Sequence, residues 1–387
     1  MNNIEDVEGC TGCTACMNLC PKRCISMKEN KEGFLFPHID EERCINCGVC
    51  YKNCPQVKKP NFNEVSRTYA AINNNHDVVM NSSSGGLVSA IADIILESGG
   101  VVYGVTLNTN NWSAEYVEID NKEDLKKIRG SKYLQSSLEY TFTQIQKRLD
   151  NKYKVLFIGT PCQVAGLYAY FEKKNIDDLY TIDLVCHGVP SPKLFKVYTE
   201  YLETKYHKRL TGFSFRDKKR FPNKLALKYT FGADKRYYLG KCEAYYMQFN
   251  AAASYRESCY KCQYAQRNRV GDITLADYWG IEMIHKDFDN TYGSSLVLEN
   301  TNKGKWLIEQ ADIYKIDSKL EWAVKYNHNL SAPSAKNSCR EMFYKEVDEI
   351  GIENTIKKYI KVKSPVYNFI LTHLPSAIIN MLAKVKR

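Results

Sequence analysis

Two runs of the chain, CTGCTACMNLCP from Cys10 and CINCGVCYKNCP from Cys44, share one spacing of sulfur: three cysteines at intervals of three, a fourth after four, then proline. No other feature limits the fold as much. Three thiolates in one short loop can cap three irons of a four-iron, four-sulfur cubane, while the fourth cysteine, carried into a following helix, reaches a second cubane. The duplicated run therefore predicts crossed ligand sets: Cys10, Cys13, Cys16 and Cys54 for one cluster, Cys44, Cys47, Cys50 and Cys20 for the other. Zinc takes four ligands, usually as two separated pairs, and has no need for two interlocked triplets. Cys24 lies outside the spacing and reads as a packing thiol beside the cluster.

A two-cluster ferredoxin domain accounts for residues 1–57, and PQVKKPNFNEV, rich in Pro, Asn and Lys, reads as a linker over 58–66. A chain of 387 residues, 44% apolar, leaves ample length for a larger folded body, expected over 67–335 with a helical, basic extension at 336–387. The acidic opening MNNIEDVEGC does not resemble a secretory signal, and no run approaches the apolar length of a membrane span. The expected location is the cytoplasm, where fifteen cysteines serve as ligands, redox groups or buried thiols rather than disulfides.

The larger body alternates helix and strand, which predicts an α/β fold, α+β overall once the ferredoxin front and the helical end are included. LVSAIADIILES reads as a helix, VVYGVTL as a strand, KEDLKKI and SLEYTFTQIQKRL as helices, and KVLFIGTP and LYTIDLVCHG as buried strands, each feeding a helix. Residues 210–300 are more β-rich, and the last third returns to helices. Cys162 and Cys186 follow the two buried strands, and chemistry in open α/β sheets collects at the carboxyl ends of strands. Cys259 and Cys262 form a C-x-x-C in a loop. Spacing alone leaves two readings open: a third cluster on these four thiolates, or two buried packing cysteines with a zinc-binding or redox pair.

The series SSSGGLVSAI, VVYGV, RGSKYLQS, VLFIGTPCQVAGL, DLVCHGVPSP, FSFRDK and CYKCQYAQRNRVGDITLADYWG, in this order over roughly residues 60–330, resembles the family of coenzyme F420 hydrogenase/dehydrogenase beta subunits. The resemblance implies an FAD- and iron-sulfur-dependent oxidoreductase that moves electrons between one-electron carriers and a two-electron acceptor. It also implies a third 4Fe-4S cluster at Cys162, Cys186, Cys259 and Cys262, and makes coenzyme F420 a candidate co-substrate. The partner would be a ferredoxin-like or other redox carrier, with the small-molecule substrate open. The alternative is an electron-transfer subunit or redox scaffold of a larger complex.

A flavin site can also be argued physically. Ser83, Ser84, Gly85 and Gly86 open a predicted helix, whose free N–H groups and dipole favour a pyrophosphate; an ordinary serine cap is the competing reading. Arg129 and Lys132 supply positive charge for an anionic reduced flavin, Lys132 and His187 are the candidate catalytic groups, and Gly159 and Thr160 could turn backbone donors toward the ring. Asp277 closes the set, with Ala276 standing where the family usually has glycine. Arg216 and Asp217 read either as substrate contacts or, by default, as a surface ion pair.

No Walker P-loop, Rossmann glycine fingerprint or serine-nucleophile elbow is present. The formal charge of +10 is local: residues 355–387 hold six Lys and one Arg without Asp or Glu, so +7 lies there and +3 in the remainder. No nucleic-acid partner is expected from so confined an excess. The tail VYNFILTHLPSAIINMLAKVKR reads either as a packed terminal helix or as a peripheral contact at the inner face of a membrane, the latter suited to surface-polysaccharide or lipid-linked intermediates.

Overall fold

A computed structural model describes residues 3–221 and 225–373. Residues 374–387, which carry part of the expected membrane-contacting tail, lie outside the described residues. The front is a pair of cysteine loops around the short helices Ala15–Leu19 and Val49–Lys52, with one hairpin, β1 (Ile25–Glu29) and β2 (Leu35–Ile39), in register from Ile25↔Ile39 to Glu29↔Leu35. So small a unit has little apolar core; Ile4, Met17 and Ile25 pack directly among its cysteines.

The body is built on one mixed sheet of nine strands. In chain order these are β3 (Arg67–Asn73), β4 (Val101–Asn108), β5 (Ser113–Ile119), β6 (Ser136–Ser137), β7 (Val155–Gly159) and β8 (Leu179–Leu184). A separate three-stranded sheet follows, β9 (Gly212–Ser214), β10 (Ala226–Phe231) and β11 (Asp234–Leu239), before β12 (Ile273–Asp277), β13 (Ser295–Glu299) and β14 (Ile313–Ser318) rejoin the large one. Its spatial order is β14-β3-β13-β12-β8-β7-β4-β5-β6, with β12, β8, β7 and β4 parallel in the centre.

Central parallel strands are covered on both faces and so read as unbroken apolar runs. β7, VLFIG, is buried at every position. Its alternate side chains go to opposite layers: Leu156 and Ile158 meet the helices Leu87–Glu97 and Asn302–Gln310, while Val155 and Phe157 meet Thr141–Asp150 and Pro161–Phe171. Because β7, β8 and β12 run parallel, the segments after Gly159 and Leu184 and the end of β12 at Asp277 leave the sheet along the same edge. The chain segments bearing Cys162, Cys186 and Asp277 therefore arrive together.

Three expectations change. KEDLKKI forms only a 3-10 stretch, Glu123–Lys127. SLEYTFTQIQKRL becomes helical only from Thr141, because Ser136 and Ser137 first pair with Ala114 and Glu115 at the sheet edge. The last third is not wholly helical, since β14 adds an outer strand against β3. Helices Arg340–Ile350 and Ile352–Tyr359 then pack with Pro192–Tyr206 and the small sheet. Among the described residues no helix is long and apolar enough to cross a membrane.

The front is seated on the body. A Cβ placed on Gly166, in the helix Pro161–Phe171, would lie 2.9 Å from Cys13 Cβ. Arg340 donates to both carboxylate oxygens of Glu32 at 2.7 Å, a bidentate clamp on the hairpin turn. Asn63, in the expected linker, exchanges two backbone hydrogen bonds with Arg269, at 2.7 and 2.9 Å.

Candidate redox site

Thiols wrap a guest only if the backbone turns sharply between them. Gly12 and Gly48 adopt φ of +70°, and Thr14 and Asn46 also lie in the left-handed region, so each loop curls around its own cysteines. The result is two cavities. The first is lined by Cys10, Cys13, Cys16 and Cys54 together with Ile4, Val7 and Met27. The second is lined by Cys20, Cys44, Cys47 and Cys50 with Ile25, Ile39 and Ile45.

The fold gathers Cys10, Cys13, Cys16 and Cys54 about one space and Cys20, Cys44, Cys47 and Cys50 about the other, the two sets that the spacing groups. Cys24 also reaches the second cavity, its sulfur 3.3 Å from that of Cys20. Among the described residues no three Cys, His, Asp or Glu groups converge closely enough for a single metal ion; the thiols ring wider spaces instead. Four thiols about an apolar void fit a 4Fe-4S cluster in each cavity. Burial raises the Cys13 thiol to about 12 and Cys16 well above its usual value, so protons must leave as iron enters.

The second group of thiols lies beside the first cavity. Thr160 caps the helix that follows β7 and its hydroxyl stands 3.2 Å from the Cys162 sulfur. Cys186 comes two residues after β8, Cys259 lies inside a short 3-10 turn, Glu257–Lys261, and Cys262 ends it. All four are half-buried, and they sense one another: burial first, then Cys259, Cys162 and Cys262, push Cys186 upward. Burial likewise brings Cys162 to about 11 and Cys259 to about 12. Cys13 is within electrostatic reach of Cys162, which places this group next to the first cavity.

An ion pair the sequence reading missed holds the group together. Asp183 on β8 and Arg269 ahead of β12 meet at 2.9 Å, with side chains 0% and 1% exposed. The second Asp183 oxygen accepts the Gly271 N–H at 2.8 Å, and Arg269 also donates to the Tyr264 carbonyl at 3.0 Å. The pair thus ties the strand before Cys186 to the segment after Cys262. The signal was present: an aspartate inside the apolar run YTIDLV needs a buried partner.

At the same sheet edge lies the serine-glycine loop. Gly86, at φ +79°, precedes the helix Leu87–Glu97, whose first turn has no side-chain cap. The serines are not caps. Ser83 accepts from the Ser131 N–H and hydroxyl at 2.7 and 2.9 Å, Ser84 donates to the Ser294 carbonyl at 2.6 Å, and the Gly85 N–H donates to Ser295 at 3.0 Å.

Cations gather around this loop. Arg129 donates to Ser89 at 3.0 Å, and among the described residues Lys132 has only the carbonyls of Ile128 and Arg129, at 2.9 and 3.1 Å, so burial lowers it to about 7. Lys218, also lowered by burial, to about 8, contacts the Ser84 carbonyl. Arg216 does not form the expected surface pair with Asp217. It is 13% exposed and pairs with Asp277 at 3.1 Å, while Asp217 turns to Lys228 at 2.8 Å.

The Thr160 N–H, expected to be free for a ring, is taken by Gln163 Oε1 at 3.0 Å, and Gly159 is required by Tyr116, whose hydroxyl would stand 2.7 Å from an added Cβ. His187 is reached by solvent yet surrounded by protein; desolvation lowers its pKa, opposed by Asp277.

Known proteins share these parts. Residues 68–141 match the N-terminal part, and residues 152–319 the C-terminal part, of the family described as "Coenzyme F420 hydrogenase/dehydrogenase, beta subunit", while residues 9–57 match a 4Fe-4S dicluster domain. The chain is 26% identical over 188 residues to coenzyme F420-dependent sulfite reductase of Methanocaldococcus jannaschii, a match covering 46% of this chain and 28% of that protein. It is 24% identical over 190 residues to one of the subunits of F(420)H(2) dehydrogenase from Methanosarcina mazei, covering 46% and 53%. The matched part is thus about half or less of those relatives' own lengths. A chain of the F420-reducing NiFe hydrogenase complex from Methanosarcina barkeri superimposes with a TM-score of 0.45 at 15% identity, over 77% of this chain and 92% of that one. With both halves of one family matched in order behind a dicluster front, the chain belongs to the family of coenzyme F420 hydrogenase/dehydrogenase beta subunits.

Proposed function

We propose that the protein is an iron-sulfur flavoprotein oxidoreductase passing electrons between a one-electron carrier of ferredoxin type, or a deazaflavin such as coenzyme F420, and a two-electron acceptor. One observation carries this reading: the first thiol-lined cavity touches, through Cys13, the helix that begins beside Cys162, and that sheet edge leads on to the cation-rich serine-glycine loop. Two clusters belong to the dicluster domain; Cys162, Cys186, Cys259 and Cys262 would hold a third, and the loop would hold FAD. Clusters handle single electrons, and a flavin, when bound, couples them into pairs.

Around that site the chain's own groups have distinct work. The uncapped helix start receives phosphate. Lys132, close to half-protonated at neutral pH, can follow the charge of the ring by taking or releasing a proton at Nζ. His187 offers a second proton carrier open to solvent. Asp277 holds Arg216 in place beside Ser83.

Anaerobic purification with iron, sulfide and flavin analysis tests the reading, with about twelve irons and one FAD per chain expected. About eight irons without flavin would reduce the protein to an electron carrier. The second reading, an electron-transfer subunit whose active site lies on another protein, is supported by similarity to a dehydrogenase component. Turnover by the isolated chain with an artificial donor distinguishes the two.

A further inference from the structure

Arg256 is 1% exposed and has no acidic partner within salt-bridge distance among the described residues. Its main chain belongs to the third thiol group: its N–H donates to the Val189 carbonyl at 2.9 Å, three residues past Cys186, and its carbonyl accepts the Cys259 N–H at 2.8 Å. Its side chain belongs to the first. Nε donates to the Cys10 carbonyl at 2.7 Å, Nη1 reaches Gln135 Oε1 at 3.3 Å, and the guanidinium lies over the Phe36 ring of β2 at 4.0 Å. Nη2 is buried and has no hydrogen-bond partner among the described residues.

A fully buried guanidinium with an unspent donor is costly unless something anionic completes it. Resting on the reading that Cys162, Cys186, Cys259 and Cys262 hold a cluster, we propose that Arg256 is a positioning residue that joins the first and third cluster sites and supplies a buried N–H and positive charge to the sulfur of the third. When one electron leaves the first site and enters the third, no bond or proton changes; only the charge of each site changes by one. A buried cation at the receiving site favours that reduction, as hydrogen bonds and net charge do for clusters generally. Lysine cannot replace it fully, because a single ammonium cannot reach Cys10, Gln135 and the cluster together.

The test is an EPR-monitored reductive titration of oxygen-free R256Q and R256K, with iron content matched to the wild type. In R256Q the third cluster's reduction equilibrium should shift about tenfold toward the oxidised form, about 59 mV for one electron. The distal cluster of Cys20, Cys44, Cys47 and Cys50 should stay within about twofold, and R256K should shift the third in the same direction by less. Unmoved potentials in both variants, or equal shifts in all three clusters, overturn the proposal. If R256Q does not load iron, R256K decides: a shift of about threefold or more supports the role and none overturns it. A wild type showing only two clusters is a different failure, since it removes the third site itself before Arg256 is touched.

Discussion

The seating of the cluster front on the body can be tested by a substitution for which helix propensity and packing predict opposite signs. Gly166 lies inside the helix Pro161–Phe171, where alanine normally stabilises by about 1 kcal/mol. Here an added Cβ would meet Cys13 Cβ at 2.9 Å, its sulfur at 3.0 Å and its carbonyl oxygen at 3.2 Å. None of these can swing aside, since Cys13 lines the first cavity and the oxygen is backbone. Overpacking of this kind costs about 1–3 kcal/mol, so G166A should lose up to about 2 kcal/mol net of the helix gain. With a urea slope of about 3 kcal/mol per molar, the midpoint should fall by up to about 0.7 M. The assay is urea unfolding under nitrogen, followed by far-ultraviolet dichroism and by bleaching of cluster absorption. Bleaching should move at least as far as the dichroism, because the strain falls on Cys13. A midpoint raised by G166A would refute the reasoning and detach the cysteine loop from this helix.

Arg269→Met should cost about 3–5 kcal/mol by leaving the Asp183 charge buried and unpaired, with iron content falling toward two clusters; adding Asp183→Asn should recover part of the melting temperature. In flavin-free protein, Lys132→Met should raise stability at pH 6–7, because burial lowers this lysine to about 7 while the unfolded chain binds its proton up to about pH 10.5. That penalty is full below about pH 7 and fades as pH rises through 7 to 10.5, so the advantage of the variant in urea midpoint should shrink over the same window. Chelation of the clusters should release β1 and β2 first, since the core there is built around the thiols; amide exchange over residues 25–39 should accelerate while β7 and β8 stay protected.

The grouping of the eight front cysteines about two spaces was legible because spacing of three, three and four along a short loop leaves little geometric freedom. The buried strands VLFIG and YTIDL were legible because parallel central strands are apolar on both faces. What escaped was the set of contacts between distant residues. Arg256 reaches Cys10 across 246 positions and Arg269 reaches Asp183 across 86, and no local pattern marks which basic residue is buried. Arg216 illustrates the cost: beside Asp217 in sequence it looks paired with its neighbour, but alternate residues leaving β9 face opposite ways, so it meets Asp277 instead. Ser83 and Ser84 resembled caps because serine usually is one at a helix start, whereas here both hydroxyls bridge to other loops.

The seat of Cys13 against Gly166, and the strand-like bridge of Asn63 to Arg269, also bear on kinetics. A carrier domain on a free tether must diffuse to its target, so its delivery rate follows the local concentration that the tether length sets. A front bolted to its receiver has no such search step. Relay from front to body is then first-order, indifferent to dilution and viscosity, and inserting residues into 58–66 should leave its rate unchanged so long as the seat is kept.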